Sequence, residues 1–232
     1  MEINTKLILP KFINTIDDSM MLTYPIFISQ IENLLDLFNE SEDFLNFFMN
    51  KLENIISFIQ MQVNWRIAII FLEKIVKVIF LMEKFIFTTR LHNVVMKFLI
   101  DENSVLPLKN TSMKILAHCL RYCKKTEKDE IIRYLEKEII DSKNYYIRRL
   151  YFPFFQEAMS IFSISALMQY QIFENILKFL NDNKLMQAKI ISNLKDFYPL
   201  IFTESRIKFL VNNKMDNLKK MGNFDYEITK VY

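Results

Sequence analysis

A near absence of glycine is the feature that most restricts what this chain can fold into. Among 232 residues there is one glycine, Gly222. Hairpins, bulges and phosphate-binding loops rely on glycine because it adopts positive φ and allows close backbone approach. Hydrophobic residues make up 51% of the chain, which is enough apolar surface for a continuous core. The composition therefore predicts an all-α protein whose helices are joined by short polar turns.

The apolar residues follow a helical period over most of the chain, and polar breaks interrupt them at regular intervals. This pattern predicts helices over residues 7–16, 25–38, 44–58, 67–82, 87–100, 109–123, 127–140, 146–162, 167–180 and 185–197, with a weaker helix over 205–220. Pro153 lies inside the predicted helix 146–162, where its missing N–H is expected to kink or break the helix.

The predicted helices form pairs, and the pairs repeat. The aspartates Asp101, Asp141 and Asp182 close three similar turns and stand 40 and 41 positions apart (101 to 141, then 141 to 182). A basic residue recurs early in the second helix of each pair, namely Arg66, Lys109, Arg148 and Lys189. A helix–turn–helix unit of roughly 40 residues is typical of HEAT and armadillo solenoids, in which stacked hairpins share one core. We therefore expect a solenoid of about five to six hairpins over residues 1–203, followed by a degenerate terminal repeat and tail over 204–232.

One charged stripe on the predicted helix 67–82 has two interpretations. That helix is apolar nearly all round, and the charges at Arg66, Glu73, Lys77 and Lys84 fall on one narrow face. The stripe is either a solvated edge with a weak Glu73–Lys77 pair or a rim that faces a binding partner.

Charge and cysteine content argue against several functions. The 30 basic and 27 acidic residues are interleaved, so there is no clustered basic face for nucleic acid. Cys119 and Cys123 stand four apart beside His118, which permits a metal or redox pair, but only His92 supplies another imidazole. The pattern favours two small hydrophobic residues on a buried helix face, and we expect no metal and no cofactor.

An enzymatic function is not expected either. The two histidines fall in different helices, and neither a glycine-rich loop nor a convergent group of carboxylates is present. The longest apolar stretch, 67–82, carries charges, so no membrane span is predicted, and no secretory leader is recognisable. The chain is expected in the cytoplasm, with the nucleus left open.

Four segments carry a more specific resemblance. They are Asn64–Ile70 with Glu73, Asp141–Met159, Asp182–Ile201, and Leu9-Pro10 with the residues up to Asp18. Together they resemble repeats of the HEAT scaffold (A) subunit of protein phosphatase type 2A, and the Trp-Arg start at Trp65 is also similar to regulatory subunit 1 of protein phosphatase 4. The resemblance covers residues 6–203 and is strongest from Trp65 to Ile201.

The resemblance implies a non-catalytic subunit that binds the catalytic subunit of a type 2A-like serine/threonine phosphatase through the turns between its paired helices. On this chain the corresponding positions are Trp65, Arg66 and Tyr146, with Lys109 and Lys184 as candidates in neighbouring turns. Tryptophan, tyrosine and arginine are the residues that most often dominate binding energy. Trp65 has an alternative role as a core residue at the base of its hairpin.

A second class of function stays open. The chain is alternatively a HEAT or armadillo interaction module in transport or in the assembly of a large complex. A continuous ridge of Trp65, Lys109, Tyr146 and Lys184 along one edge favours the phosphatase hypothesis. An apolar surface along a concave helix face favours the alternative.

Overall fold

The structure, a computed structural model, describes residues 65–78, 85–196 and 205–220, together with the helical residues Gln30 and Asn33. Within these ranges the helices are α1 (Trp65–Val78), α2 (Phe85–Ile100), α3 (Leu106–Tyr122), α4 (Lys125–Tyr134), α5 (Tyr145–Arg148), α6 (Tyr151–Ile161), α7 (Ile164–Gln169), α8 (Ile172–Lys178), α9 (Lys184–Asp196) and α10 (Ser205–Lys220). A π-helical segment, Leu135–Ile140, continues α4, and a 3-10 turn, Phe179–Asn181, follows α8. No strand occurs in the described part, so the all-α prediction is confirmed there.

Some predictions fall on other residues. The helices predicted over 7–16, 25–38 and 44–58 lie outside the described residues, apart from Gln30 and Asn33. Lys84, Gly222 and the predicted domain boundary at residue 203 also lie outside them. The extent of the predicted solenoid therefore stays a prediction.

The chain divides into two compact units, Met1–Ile131 and Ile132–Tyr232. In the first unit α1 and α2 both pack against α3. The contacting faces contribute side chains with at most 4% of their surface exposed, including Phe71, Leu72, Ile75, Leu91, Val95, Leu99, Met113, Leu116 and Leu120. The helix α3 is buried along most of its length because it has helices on two sides.

Aromatic side chains fill the core of the second unit. Tyr151 is fully buried, and its ring lies 5.6 Å from that of Phe154 and 5.7 Å from that of Phe179. The Tyr151 hydroxyl donates a hydrogen bond to the carbonyl oxygen of Ile172 at 3.1 Å, so its polar end is satisfied. Burial raises the pKa of Tyr151 far above its usual value, so the hydroxyl stays protonated. These contacts join α6 to the start of α8 and to the 3-10 turn after it.

Several predicted helix ends agree closely with the structure. The helix α2 ends at Ile100 as predicted, and α10 spans Ser205–Lys220 as predicted. Proline at the second position of α3 is compatible with helix initiation, because the first N–H groups of a helix have no partner inside it. On α10, Ile207, Val211 and Met215 recur every fourth residue and are buried, and this helix packs on α8.

The helical stretch predicted over 146–162, with a kink or break at Pro153, is broken. It is two helices, α5 and α6, with a turn at Arg149 and Leu150 between them. Pro153 occupies the first turn of α6, where no backbone donor is required. Its ring would collide with the carbonyl group of Arg149 in a regular helix, so the chain turns just before it. The expected break therefore lies one turn ahead of the proline.

The single helix predicted over 167–180 is wrong in its continuity. The residues form α7, α8 and the 3-10 turn, with a break at Gln171. Gln171 has φ 52° and ψ 26°, a left-handed conformation that ends one helix and redirects the next. Glutamine is not a residue that marks this conformation in a sequence, so the pattern of apolar residues did not reveal the break.

Candidate protein-binding turns

The first candidate position is the start of α1. Trp65 is its first residue and is half-buried, whereas Arg66 is exposed. The Arg66 guanidinium carbon lies 4.3 Å from the centre of the Trp65 ring, which is a cation–π contact. The indole is therefore partly packed on the protein, and the positive charge of the Arg66 guanidinium lies beside its ring at the surface. Glu73, from the same predicted stripe, is also exposed.

Lys109 lies near the start of α3 and is half-buried. Its backbone N–H donates to the carbonyl oxygen of Val105 at 3.1 Å, which closes the first turn of the helix. Ile100, the last residue of α2, and Leu106, the first residue of α3, have 64% and 46% of their surfaces accessible. The turn between α2 and α3 therefore presents apolar side chains that the sequence analysis did not single out.

The recurring turn aspartates differ in what they bind. The Asp101 carboxylate accepts the backbone N–H of Asn103 at 2.9 Å, so it stabilises its own turn. Asp141 is exposed to solvent. Asp182 is bound by Arg148, which is 34 residues earlier in the chain. Of these three aspartates, which hold similar positions in the predicted repeat, one therefore stabilises its own turn, one is exposed to solvent and one forms a long-range ion pair.

The Arg148–Asp182 ion pair connects two turns of the second unit. Arg148 Nε donates to Asp182 Oδ2 at 2.5 Å, and Nη2 donates to Oδ1 at 2.8 Å. The remaining arm, Nη1, donates to the carbonyl oxygen of Ser142 at 2.8 Å. The side chains are 15% and 14% exposed, so water screens the pair only in part. One guanidinium therefore holds residues 142 and 182 together with three charge-assisted hydrogen bonds.

Opposing effects act on the pKa of the Asp182 carboxyl group. Burial raises this pKa, whereas the hydrogen bonds from Arg148 and from the backbone N–H of Asn183, together with the Arg148 charge, lower it. The lowering prevails, so the pKa lies below the ordinary value of 3.8. The carboxylate is therefore ionised at neutral pH, as a bidentate pair with arginine requires.

Tyr146 lies at the start of α5, directly after the turn that Arg148 contacts. The Asn144 side chain accepts the backbone N–H of Tyr146 at 2.9 Å and so caps the helix. The Tyr146 ring packs edge-on against Tyr145, with 5.4 Å between ring centres, and 66% of Tyr146 is exposed. Tyr146 is thus a surface aromatic residue on a fixed backbone.

Lys184 is the first residue of α9 and is exposed. The Asn183 side chain accepts the backbone N–H of Met186 at 3.0 Å and caps this helix as well. Leu185, the next residue, has 69% of its surface exposed. An apolar side chain and a cation therefore stand side by side at the start of α9.

The structure thus brings together two of the five predicted binding residues. Tyr146 and Lys184 belong to turns that the Arg148–Asp182 ion pair joins within the second unit. Trp65, Arg66 and Lys109 belong to the first unit, on two helices that contact each other.

Sequence reasoning missed the pairing of Arg148 with Asp182, although it noted both residues as parts of the repeat. The available signal was the spacing: the basic residue stands almost one predicted repeat before the aspartate of the next hairpin. The exposed Leu185 and Ile147 had no such signal, because apolar residues near helix starts are usually buried.

The cysteine pair is buried, as the helical pattern predicts. Cys119 and Cys123 are 0% and 3% exposed, and neither forms a disulfide. A hydrogen bond with Cys123 and burial both raise the pKa of the Cys119 thiol well above its usual value. A thiol of this kind is a poor nucleophile and a poor metal ligand, because both roles require the thiolate. The described residues also contain no group of three or more His, Cys, Asp or Glu side chains positioned to hold a metal ion.

Comparison of the chain with protein-family models, with curated proteins and with solved structures finds no match. Of the helices in the described ranges, none combines the length and the apolar character that crossing a membrane requires. The assignment of a function therefore depends on the turns described above and on the resemblance in sequence.

Proposed function

We propose that this chain is a HEAT-type solenoid that acts in the cytoplasm as a non-catalytic scaffold or regulatory subunit. Its partner is the catalytic subunit of a type 2A-like serine/threonine phosphatase, which binds through the turns between paired helices. Short helices with polar turns and shared cores support the architecture. The Trp-Arg start at Trp65 and the segments after Asp141 and Asp182 support the choice of partner.

The observation that carries the proposal is the exposure of aromatic and apolar side chains at fixed helix starts. Tyr146 is 66% exposed although its backbone is capped by Asn144, and Trp65 is half-buried beneath the Arg66 guanidinium. Aromatic residues and arginine dominate protein interfaces because they bury much area and keep a polar group for the partner. A backbone that is already ordered loses little entropy when the partner binds.

The test is a direct binding measurement between the purified full-length chain and a purified type 2A-like catalytic subunit. Trp65→Ala and Tyr146→Ala should each weaken binding by about 2 kcal/mol, or roughly 30-fold, which is the size of an interface hot spot. Phe209→Ala is a matched control, because Phe209 is 63% exposed but lies in the interior of α10. Circular dichroism of each variant establishes that the helices remain.

Affinity purification of the tagged chain from its native cell, followed by mass spectrometry, tests the choice of partner. A phosphatase catalytic subunit among the major partners supports the proposal. Its absence, with transport or assembly proteins in its place, would refute the phosphatase function and favour the other class of HEAT module. If Trp65→Ala lowers the melting temperature strongly, Trp65 is a core residue and not a binding residue.

A further inference from the structure

The turns of the second unit expose apolar side chains beside cations. Tyr146 and Leu185 have 66% and 69% of their surfaces accessible, and Ile147 has 36%. Lys143, Arg149 and Lys184 are exposed in the same two segments, 141–149 and 181–185. We call the exposed residues of these two segments the second-unit turn surface.

The Arg148–Asp182 ion pair makes one surface of two segments that are distant in sequence. Tyr146 and Ile147 come directly before Arg148, and Leu185 follows Asp182 by three positions. The bidentate contact and the bond to the Ser142 carbonyl oxygen hold the segments in a fixed arrangement. A partner that contacts both segments therefore meets a surface that is ordered before binding.

The charge of this surface is positive. Four basic residues, at positions 143, 148, 149 and 184, stand against two acidic residues, Asp141 and Asp182. Since Asp182 is already paired with Arg148, the exposed charges are three cations and the Asp141 carboxylate. The N-terminal end of α9 adds a partial positive charge at Lys184. Complementarity requires a negatively charged partner.

We propose that the second-unit turn surface binds an acidic segment of a partner protein in which apolar side chains stand among the carboxylates. The apolar side chains pack on Tyr146, Ile147 and Leu185, and the carboxylates face Lys143, Arg149 and Lys184. This inference rests on the proposed use of the turns for protein binding, but it does not require that the partner is a phosphatase.

The experiment is a selection of random twelve-residue peptides displayed on phage against the full chain. Counter-selection uses the variant Lys143→Glu/Lys184→Glu, which reverses two cations of the surface. Glutamate at position 184 is compatible with folding, because a negative charge is favourable at a helix start. The expected peptides, which bind the natural chain and not the variant, contain Asp or Glu together with aromatic or aliphatic residues.

Synthetic copies of the selected peptides give the affinities by fluorescence anisotropy. We expect at least about tenfold weaker binding to Lys143→Glu/Lys184→Glu and to Leu185→Ser, and weaker binding as salt concentration rises. The control variant Lys114→Glu/Ile100→Ser alters an exposed cation and a 64% exposed apolar residue of the first unit, and it should bind like the natural chain.

Three results would overturn the proposal. They are a selection without any peptide that separates the natural chain from the variant, a set of basic or neutral peptides, and equal loss of binding in the control variant. The outcome is separable from that for the proposed function. If acidic peptides bind this surface but no phosphatase is captured, only the phosphatase proposal fails. If a phosphatase binds but no acidic peptide separates the natural chain from the variant, only the present proposal fails.

Discussion

Replacement of Arg148 by methionine measures how much the ion pair with Asp182 stabilises the second unit. Methionine keeps an unbranched apolar chain but removes the charge and the three hydrogen bonds to Asp182 and Ser142. Leaving a partly buried carboxylate without its partner costs more than the bonds themselves contribute. Exposure of 15% and 14% reduces this cost, because water still reaches both side chains. We expect a loss of about 2–3 kcal/mol in the free energy of unfolding.

A double-mutant cycle isolates the interaction of the two side chains. Urea unfolding is followed by far-UV circular dichroism at pH 7 for Arg148→Met, Asp182→Asn, the double variant and the natural chain. The expected coupling energy is about 1–2 kcal/mol, which is less than the loss in Arg148→Met alone, because the bond from Arg148 to Ser142 is lost on both parallel sides of the cycle and cancels. Arg148→Lys retains the charge but not the planar arrangement of donors, so it should recover less than half of the stability.

The same pair predicts a dependence on pH with a definite sign. The pKa of Asp182 is lower in the folded chain than its ordinary value of 3.8, so the unfolded chain binds the proton more readily. The stabilising effect is therefore complete well above pH 3.8 and is lost as the pH falls through the lower, folded value. The difference between the natural chain and Asp182→Asn should shrink below about pH 4.

Two results would refute this account. A coupling energy below about 0.3 kcal/mol would mean that the two turns are held together by other contacts. An unchanged difference between the natural chain and Asp182→Asn at pH 7 and pH 3 would mean that the charge of Asp182 is not what stabilises the pair.

Three other substitutions test local features. His92 is 1% exposed, and burial lowers its pKa against the raising effects of Glu130, Glu127 and a side-chain hydrogen bond with Asn93. The free energy of unfolding should fall by up to about 1.4 kcal/mol per pH unit as the pH drops from about 6.5 towards the lower pKa of the folded chain. Urea midpoints of His92→Leu should lack this slope, and an equal slope in that variant would contradict the role of His92. Gln171→Gly should raise the unfolding free energy by about 0.5–1 kcal/mol, because glycine adopts positive φ without strain; a lower melting temperature would argue against strain at φ 52°. Asn144→Ala should lower the free energy of unfolding by about 1 kcal/mol in thermal unfolding, because it removes the side chain that caps α5. Asn144→Gly should cost less, because the glycine backbone is itself favoured at the N-cap position.

Much of the helical content of this protein is a local property of its sequence. The scarcity of glycine argues against strands and hairpins, and over the described residues the apolar period predicts most of the helical segments that the structure has. The ends of α2 at Ile100 and of α10 at Lys220 follow from polar or charged residues at the change of pattern. The burial of Cys119 and Cys123 was predictable for the same reason, since a residue's position on a periodic face decides its environment.

The breaks inside helical stretches depended on more than the local pattern. Pro153 predicted a break in the helix. The position of the turn, at Arg149 and Leu150, depends on how the proline ring excludes a regular helix before it. Gln171 has no such marker. Its left-handed conformation is imposed because Phe173 and Ile176 after the break, and Leu167 before it, all become buried, so the gain from packing outweighs a local strain of about 1 kcal/mol.

Over the described residues, the sequence by itself determined the all-α class and where most helices lie, and it named turn residues as candidates for binding a protein. Only the tertiary structure decided which of those residues act together. Arg148 and Asp182 are 34 residues apart, and no local interaction relates them. Their contact exists because the packing of the second unit brings both turns to one place, and the exposure of Tyr146 and Leu185 follows from the same packing. Local propensities depend on neighbours in sequence, whereas pairing and exposure depend on neighbours in space.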